Sequence, residues 1–176
     1  MDIEKEEKTK KKINLFIQNT IEFIIAIILG LLLNQVLNLF IGFSYVSGTS
    51  MYPTLQDKQF AMYETSLIYD DYKQNDIISF KSNFKDSKGH AMNFVKRIIA
   101  VGGDTIKIED NKVYVNGEEL DETYLSPEQI TDGLIEEVVP EDCYFVLGDN
   151  RLNSMDSRDS RVGFIHKDSI NGKLLV

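Results

Sequence analysis

The chain has one cysteine, three prolines, two histidines and no tryptophan in 176 residues. A single thiol excludes an intrachain disulfide, and no Cys/His cluster offers metal-ligand spacing, so stability must come from packing and neither metal nor cofactor is implied. Cys143, in Cys-Tyr-Phe-Val-Leu, fits a buried strand position. His90 lies in a polar stretch and His166 beside Lys167, surface settings for both, and neither sits in the context of a Ser-His-Asp triad. Positive charge is scarce too. Lys+Arg 19 against Asp+Glu 28 gives a net charge of -9 with no basic stripe, which argues against nucleic acid as a partner. The length suits one domain plus an anchor, and 43% hydrophobic residues can build a core.

Charge is almost absent from one long stretch. From Ile13 to Gln56 the only formally charged side chain is Glu22, and 23–33 is an unbroken apolar run. A bilayer core of roughly 30 Å takes about 20 helical residues. Residues 21–41 supply them, within an anchor region 13–41, if Asn34, Gln35 and Asn38 are tolerated. Lys10, Lys11 and Lys12 abut the run and no charge follows it until Asp57, so the positive-inside bias sets the N-terminus in the cytoplasm and the remainder outside. A cleaved secretory signal shares this basic-then-apolar order, with Gly42-Phe43-Ser44 as a small-x-small site, but its apolar core is usually shorter. A buried core helix is a further reading, and the scarcity of charge over this length counts against it. Glu22, near the cytoplasmic end, can snorkel or pair with the lysines and takes no catalytic role. The cytoplasmic charged tail is 1–12, and its densely charged stretch from Glu4 to Lys12 reads as disordered.

Beyond residue 42, short segments rich in β-branched and aromatic residues alternate with Gly, Asn and Asp clusters, which predicts a mostly β domain over 42–176. The predicted strands are 43–46, 59–63, 76–80, 91–101, 105–109, 112–116, 142–147 and 173–176. Asp110-Asn111 between two alternating runs predicts a hairpin, and Asn116-Gly117 the next turn. The acidic stretch 118–137 mostly lacks alternation and reads as a long surface loop, with a short helical turn near Pro127.

Three segments could carry chemistry. Ser47-Gly48-Thr49-Ser50-Met51-Tyr52-Pro53-Thr54 follows a strand and contains Gly and Pro, so it bends, and a serine there can be exposed. Tyr52 stands where a Gly-x-Ser-x-Gly elbow has its second glycine, so this is not that elbow. Strand 91–101 holds Asn93-Phe94-Val95-Lys96-Arg97-Ile98-Ile99, and alternation groups Lys96 with Phe94 and Ile98, and Arg97 with Val95 and Ile99. A lysine buried among apolar neighbours loses ammonium hydration; its pKa falls from about 10.4, and the neutral amine can accept a hydroxyl proton. The other outcome is that Lys96 snorkels to solvent from a sheet edge. The third segment, Gly148 to Arg158, is dense in turn formers and opposite charges. It reads either as a rigid ion-paired loop, with Arg97 pairing Asp149 or Asp156, or as a solvated surface loop.

Taken in order, the three segments resemble the boxes of the type I signal peptidases, the membrane-bound enzymes that remove signal peptides from exported preproteins. The likeness runs through Ser-Gly-Thr-Ser-Met-Tyr-Pro-Thr-Leu, Val-Lys-Arg-Ile and Gly-Asp-Asn-Arg-x-x-Ser-x-Asp-Ser-Arg, and covers nearly the whole chain. It implies a compact antiparallel β domain, partly barrel-like, after one transmembrane helix, in the short form typical of Gram-positive members. It also implies Ser50 as nucleophile, Lys96 as neutral general base and Ser154 as the hydroxyl that orients the amine. Arg97, Asp149, Asn150, Arg151, Asp156, Ser157 and Arg158 would be the supporting scaffold, and Gly48, Thr49, Met51 and Pro53 the loop that shapes the oxyanion hole. Partners would be signal peptides and the lipid bilayer, with cleavage after small residues. Two departures stand out. Gly48 occupies a position where some members carry a serine that assists the oxyanion hole, leaving more of that task to backbone N–H groups such as that of Ser50. Asp159-Ser160-Arg161-Val162 also separates the last box from Gly163, which leaves the exit of that loop open.

Other classes fit less of the chain. A non-catalytic assembly factor of the same lineage would not need both Ser50 and Lys96. A soluble self-cleaving Ser-Lys repressor-type peptidase would not need the anchor and would carry a DNA-binding helical segment. A tethered binding module would hold the three boxes by coincidence.

Overall fold

The computed structural model describes residues 2–176, with side chains from residue 11 onward. It begins with one helix, α1 (Asp2–Phe40). The charged tail expected to be disordered is therefore helical from Asp2: the first glycine is Gly30, the first proline Pro53, and Lys and Glu are good helix formers. Lys11–Phe40 covers 30 residues, about 45 Å at 1.5 Å per residue. Its large apolar side chains are exposed, and by length and composition it can cross a bilayer.

Phe40–Val176 is a separate compact unit. It contains β1 (Ile41–Tyr45), β2 (Phe60–Thr65), β3 (Ile77–Lys85), β4 (Ala91–Val101), β5 (Thr105–Glu109), β6 (Lys112–Val115), β7 (Glu118–Glu119), β8 (Ile135–Val138), β9 (Cys143–Leu147), β10 (Ile165–His166) and β11 (Ile170–Leu174). They form a seven-stranded sheet, β1-β2-β11-β3-β4-β9-β10, and a four-stranded sheet, β7-β6-β5-β8. Every pairing is antiparallel. The expected antiparallel β domain is present, but neither sheet closes into a barrel: β1 and β10 end the large sheet as unpaired edges.

Both predicted turns form. Asp110 and Asn111 have φ of 50° and 63°, and Asn116 and Gly117 have 54° and 85°, the paired positive values that hairpin turns with the twist of their strands require. The loop expected over 118–137 instead has strands at both ends, β7 on β6 and β8 on β5. Ile135-Glu136-Glu137-Val138 gives no alternation to read, yet it satisfies the backbone along β5, and Ile135 packs on the cluster around Ile106 and Val113. At Pro127 the chain makes a single reverse turn, Gln129 N–H to Ser126 O, where a helical turn was expected.

The site depends on β4. It lies between β3 and β9, with Ile98, Ile99 and Ala100 fully buried. An interior strand has no solvent edge, so the snorkelling alternative for Lys96 does not arise. Cys143 is half-buried against the cluster that includes Ile99 and Phe145. His90 and His166 are both exposed.

Candidate active site

Adjacent strand residues point to opposite faces, so Lys96 and Arg97 leave β4 in different directions. Lys96 is only 3% exposed, with its nitrogen 5.4 Å from the centroid of the Phe94 ring. Lys96 Nζ donates to Ser50 Oγ at 2.7 Å. Burial pushes the lysine down from its ordinary value to about 8; Asp156 and Asp149 oppose this and Arg158 reinforces it. A largely dehydrated amine at hydrogen-bond distance from a hydroxyl can take its proton and leave an oxygen nucleophile. The pair opens on a cavity of about 260 Å³ bounded by Tyr45, Val46, Phe94 and Val95.

Ser50 meets the amine because the chain after β1 turns sharply. Gly48 has φ of +96°, which side chains disfavour, and its N–H donates to Asp57 Oδ1 at 2.8 Å. Tyr52 N–H to Thr49 O and Leu55 N–H to Met51 O then coil the segment. Met51 and Leu55, each 1% exposed, anchor it in a core cluster with Val46 and Ala61. The peptide before Pro53 is cis.

The supporting loop is tied to this turn directly. Asn150 N–H donates to Ser50 O at 3.0 Å, and its side-chain amide donates to Thr49 O at 3.1 Å. Of the two acids open to Arg97, Asp149 is the partner, with bonds of 2.8 and 2.6 Å. Asp149 is fully buried and also accepts from Thr54 Oγ1 at 2.5 Å. Asp156 pairs with Arg158 at 2.8 and 3.0 Å and accepts the Gly148 N–H at 3.1 Å. Arg151 is 2% exposed and points inward, donating to Gly148 O, Thr131 Oγ1 and Glu122 Oε1. Ser157 Oγ accepts the Val146 N–H at 2.9 Å. The segment is thus an ion-paired scaffold and not a solvated loop.

Ser154 behaves differently from expectation. Its Oγ is buried but has no hydrogen-bond partner; the Lys96 amine bonds to Ser50 instead. The hydroxyl is seated against Gly148, where an added Cβ would lie 2.2 Å from Ser154 Oγ and 2.5 Å from Ser50 O. No methyl group fits in that space. Gly148→Ala is therefore expected to displace the carbonyl of Ser50 and cost about 1–3 kcal/mol of stability, as overpacking of a close contact does. A denaturant titration of the variant beside the wild type checks this.

Several members of the site carried no local signal. Thr54 bonds Asp149, and the Tyr124 ring lies 3.9 Å from the Arg97 guanidinium carbon. Glu122 and Thr131 hold Arg151, and Asp132 holds Arg158 at 2.8 Å. Four of these come from the acidic stretch read as surface loop, which instead clamps three arginines, Arg97, Arg151 and Arg158. The extra Asp159-Ser160-Arg161-Val162 folds as its own turn. Gly163 N–H returns to Asp159 O, Gly163 has φ of 59°, and Arg161 holds the Asp159 carboxyl down at about 2. Among the described residues no three His, Cys, Asp or Glu side chains gather as a metal site.

Residues 17–176 match the family described as signal peptidase, peptidase S26. Signal peptidase I of Bacillus licheniformis is 35% identical over 95% of this chain and 90% of its own length. Signal peptidase I T of Bacillus subtilis is 36% identical over 95% and 87%. A crystal structure of a signal peptidase I from Enterococcus faecalis, 31% identical, superposes on 60% of this chain and 97% of its own with a TM-score of 0.49. With nearly the whole chain inside the family match and relatives of this identity covering it, the protein belongs to the signal peptidases of peptidase family S26.

Proposed function

We propose that the protein is a membrane-anchored serine endopeptidase that removes signal peptides from exported preproteins, with Ser50 as nucleophile and Lys96 as general base. The 2.7 Å contact between a buried lysine amine and the Ser50 hydroxyl carries the reading. Lys96 takes the Ser50 proton as Oγ attacks the carbonyl carbon of the small residue that precedes the cut. The amine then passes its proton to the departing N-terminus of the mature protein, leaving an acyl-enzyme. Lys96 next activates the water that releases the signal peptide and restores Ser50. The Ser50 N–H contributes to stabilising the oxyanion. The orienting of the amine is assigned to Ser154, whose buried hydroxyl has no other partner.

Residues 13–41 serve as the anchor, with the tail 1–12 in the cytoplasm and 42–176 outside, in keeping with Lys10, Lys11 and Lys12 at one end of the apolar run. An apolar strand face in the β domain supports a site held against lipid. In the β1–β2 pair Phe43 faces Met62 and Tyr45 faces Phe60, all four are exposed, and Phe43 stacks on Phe60 at 5.5 Å.

The test is cleavage of a preprotein by the full chain in detergent, with the new N-terminus sequenced. The wild type should cut after a small residue and Ser50→Ala should be inert; a Ser50→Ala protein that cleaves normally overturns the reading. The pH dependence follows from Lys96. The amine works when neutral and its pKa is lowered to about 8, so kcat/KM should rise with pH through about 8 and level off above it. A profile flat from pH 6 to 9 would contradict a lysine base.

A further inference from the structure

Three of the chain's five methionines, Met51, Met92 and Met155, line the cavity that holds Ser50 and Lys96. They come from the nucleophile turn, the start of β4 and the supporting loop, and they are not equivalent. Met51 is 1% exposed and packed into the core with Val46 and Leu55, so it is a fixed floor. Met92 and Met155 are 43% and 38% exposed and stand at the rim. The chain at or beside each is held by hydrogen bonds, and both side chains are partly open to solvent. Met92 O accepts from Ser82 Oγ at 2.7 Å. Met155 sits beside Asp156, whose carboxylate is bonded by Arg158 and the Gly148 N–H. Unbranched thioether arms on a fixed backbone make a wall that fills space yet can shift by rotation.

We propose that Met92 and Met155 are specificity-determining residues: their side chains occupy the space that a larger substrate side chain near the scissile bond would need. This rests on the reading of Ser50 and Lys96 as the cleaving pair. Side chains that fit beneath the two arms are accepted, and larger ones must push them aside and lose affinity in the transition state. A missing or extra methylene group in such a pocket changes kcat/KM by roughly 10–200-fold, so two rim residues are sufficient to set a strong preference.

The experiment uses the full chain in detergent with two peptides that differ only in Ala or Leu immediately before the cut. Met92→Ala and Met155→Ala should raise the Leu-to-Ala ratio of kcat/KM about 10-fold in at least one case, leaving the Ala peptide within a few-fold of wild type. Met155→Leu, of similar volume, should keep the wild-type ratio and guards against loss of folding as the cause. If both alanine variants cleave the Ala peptide but keep the wild-type ratio, the inference is overturned. Should Ser50→Ala cleave either peptide at the wild-type rate, it is the catalytic reading that fails, so the two failures are distinct.

Discussion

Lys96→Arg is expected to reduce cleavage on the order of 10⁴-fold, as much as Lys96→Ala, although arginine is also basic and reaches at least as far. The reason is protonation. Burial favours a neutral amine at Lys96, whereas a guanidinium stays protonated and cannot accept the Ser50 proton. Lys96→Met should be equally inert yet folded, because it fills the same slot without a polar head. It also carries a stability signature. In the unfolded chain the lysine titrates near 10.4, and in the folded chain near 8. Between these values the unfolded state binds more protons, so the wild type gains stability as pH rises from about 8 to about 10.4, by about 3 kcal/mol, and gains nothing from this group below or above that window. The difference in unfolding free energy between wild type and Lys96→Met, measured by denaturant titration at about pH 7 and about pH 11, should change by that amount in that direction. Residual activity of Lys96→Arg within tenfold of wild type would rule out the lysine as base.

Much of the fold could be read from local pattern. β4 and β5 match their predicted bounds, and the Asp110-Asn111 and Asn116-Gly117 turns have the backbone angles their residue types favour. β7, β8 and β10 could not be read. Glu118–Glu119 and Ile135–Val138 owe their extended form to pairing with β6 and β5, and Ile165–His166 is only two residues on the edge of β9. The site divides in the same way. Ser50, Lys96 and the Asp/Arg loop lie in compact motifs, and alternation alone put Lys96 and Arg97 on opposite faces. Which acid would face Arg97 depended on how the loop after β9 folds, and Tyr124, Thr131 and Glu122 are brought in from twenty or more residues away in sequence. A threonine such as Thr131, 1% exposed in the structure, looks like any polar loop residue until its arginine partner is known.

Arg97 and Asp149 test whether that scaffold serves the chemistry or only the fold. Their side chains are 10% and 0% exposed, joined at 2.6 Å, so removing one partner strands the other in a poorly solvated site. Asp149→Ala should therefore cost about 3–5 kcal/mol of stability, with Thr54 losing its acceptor as well. Asp149→Asn keeps the shape and should cost less, and it separates the two roles. The Asp149 charge holds the Lys96 proton on, so removing it favours the neutral amine, and the midpoint of the pH–rate profile should move below about 8. A purely structural role would lower the folded fraction and leave that midpoint unchanged. Measured on the folded Asn variant, with stability followed in the same buffers, a downward shift is the expected result; an unmoved or raised midpoint would show that Asp149 does not act on the amine.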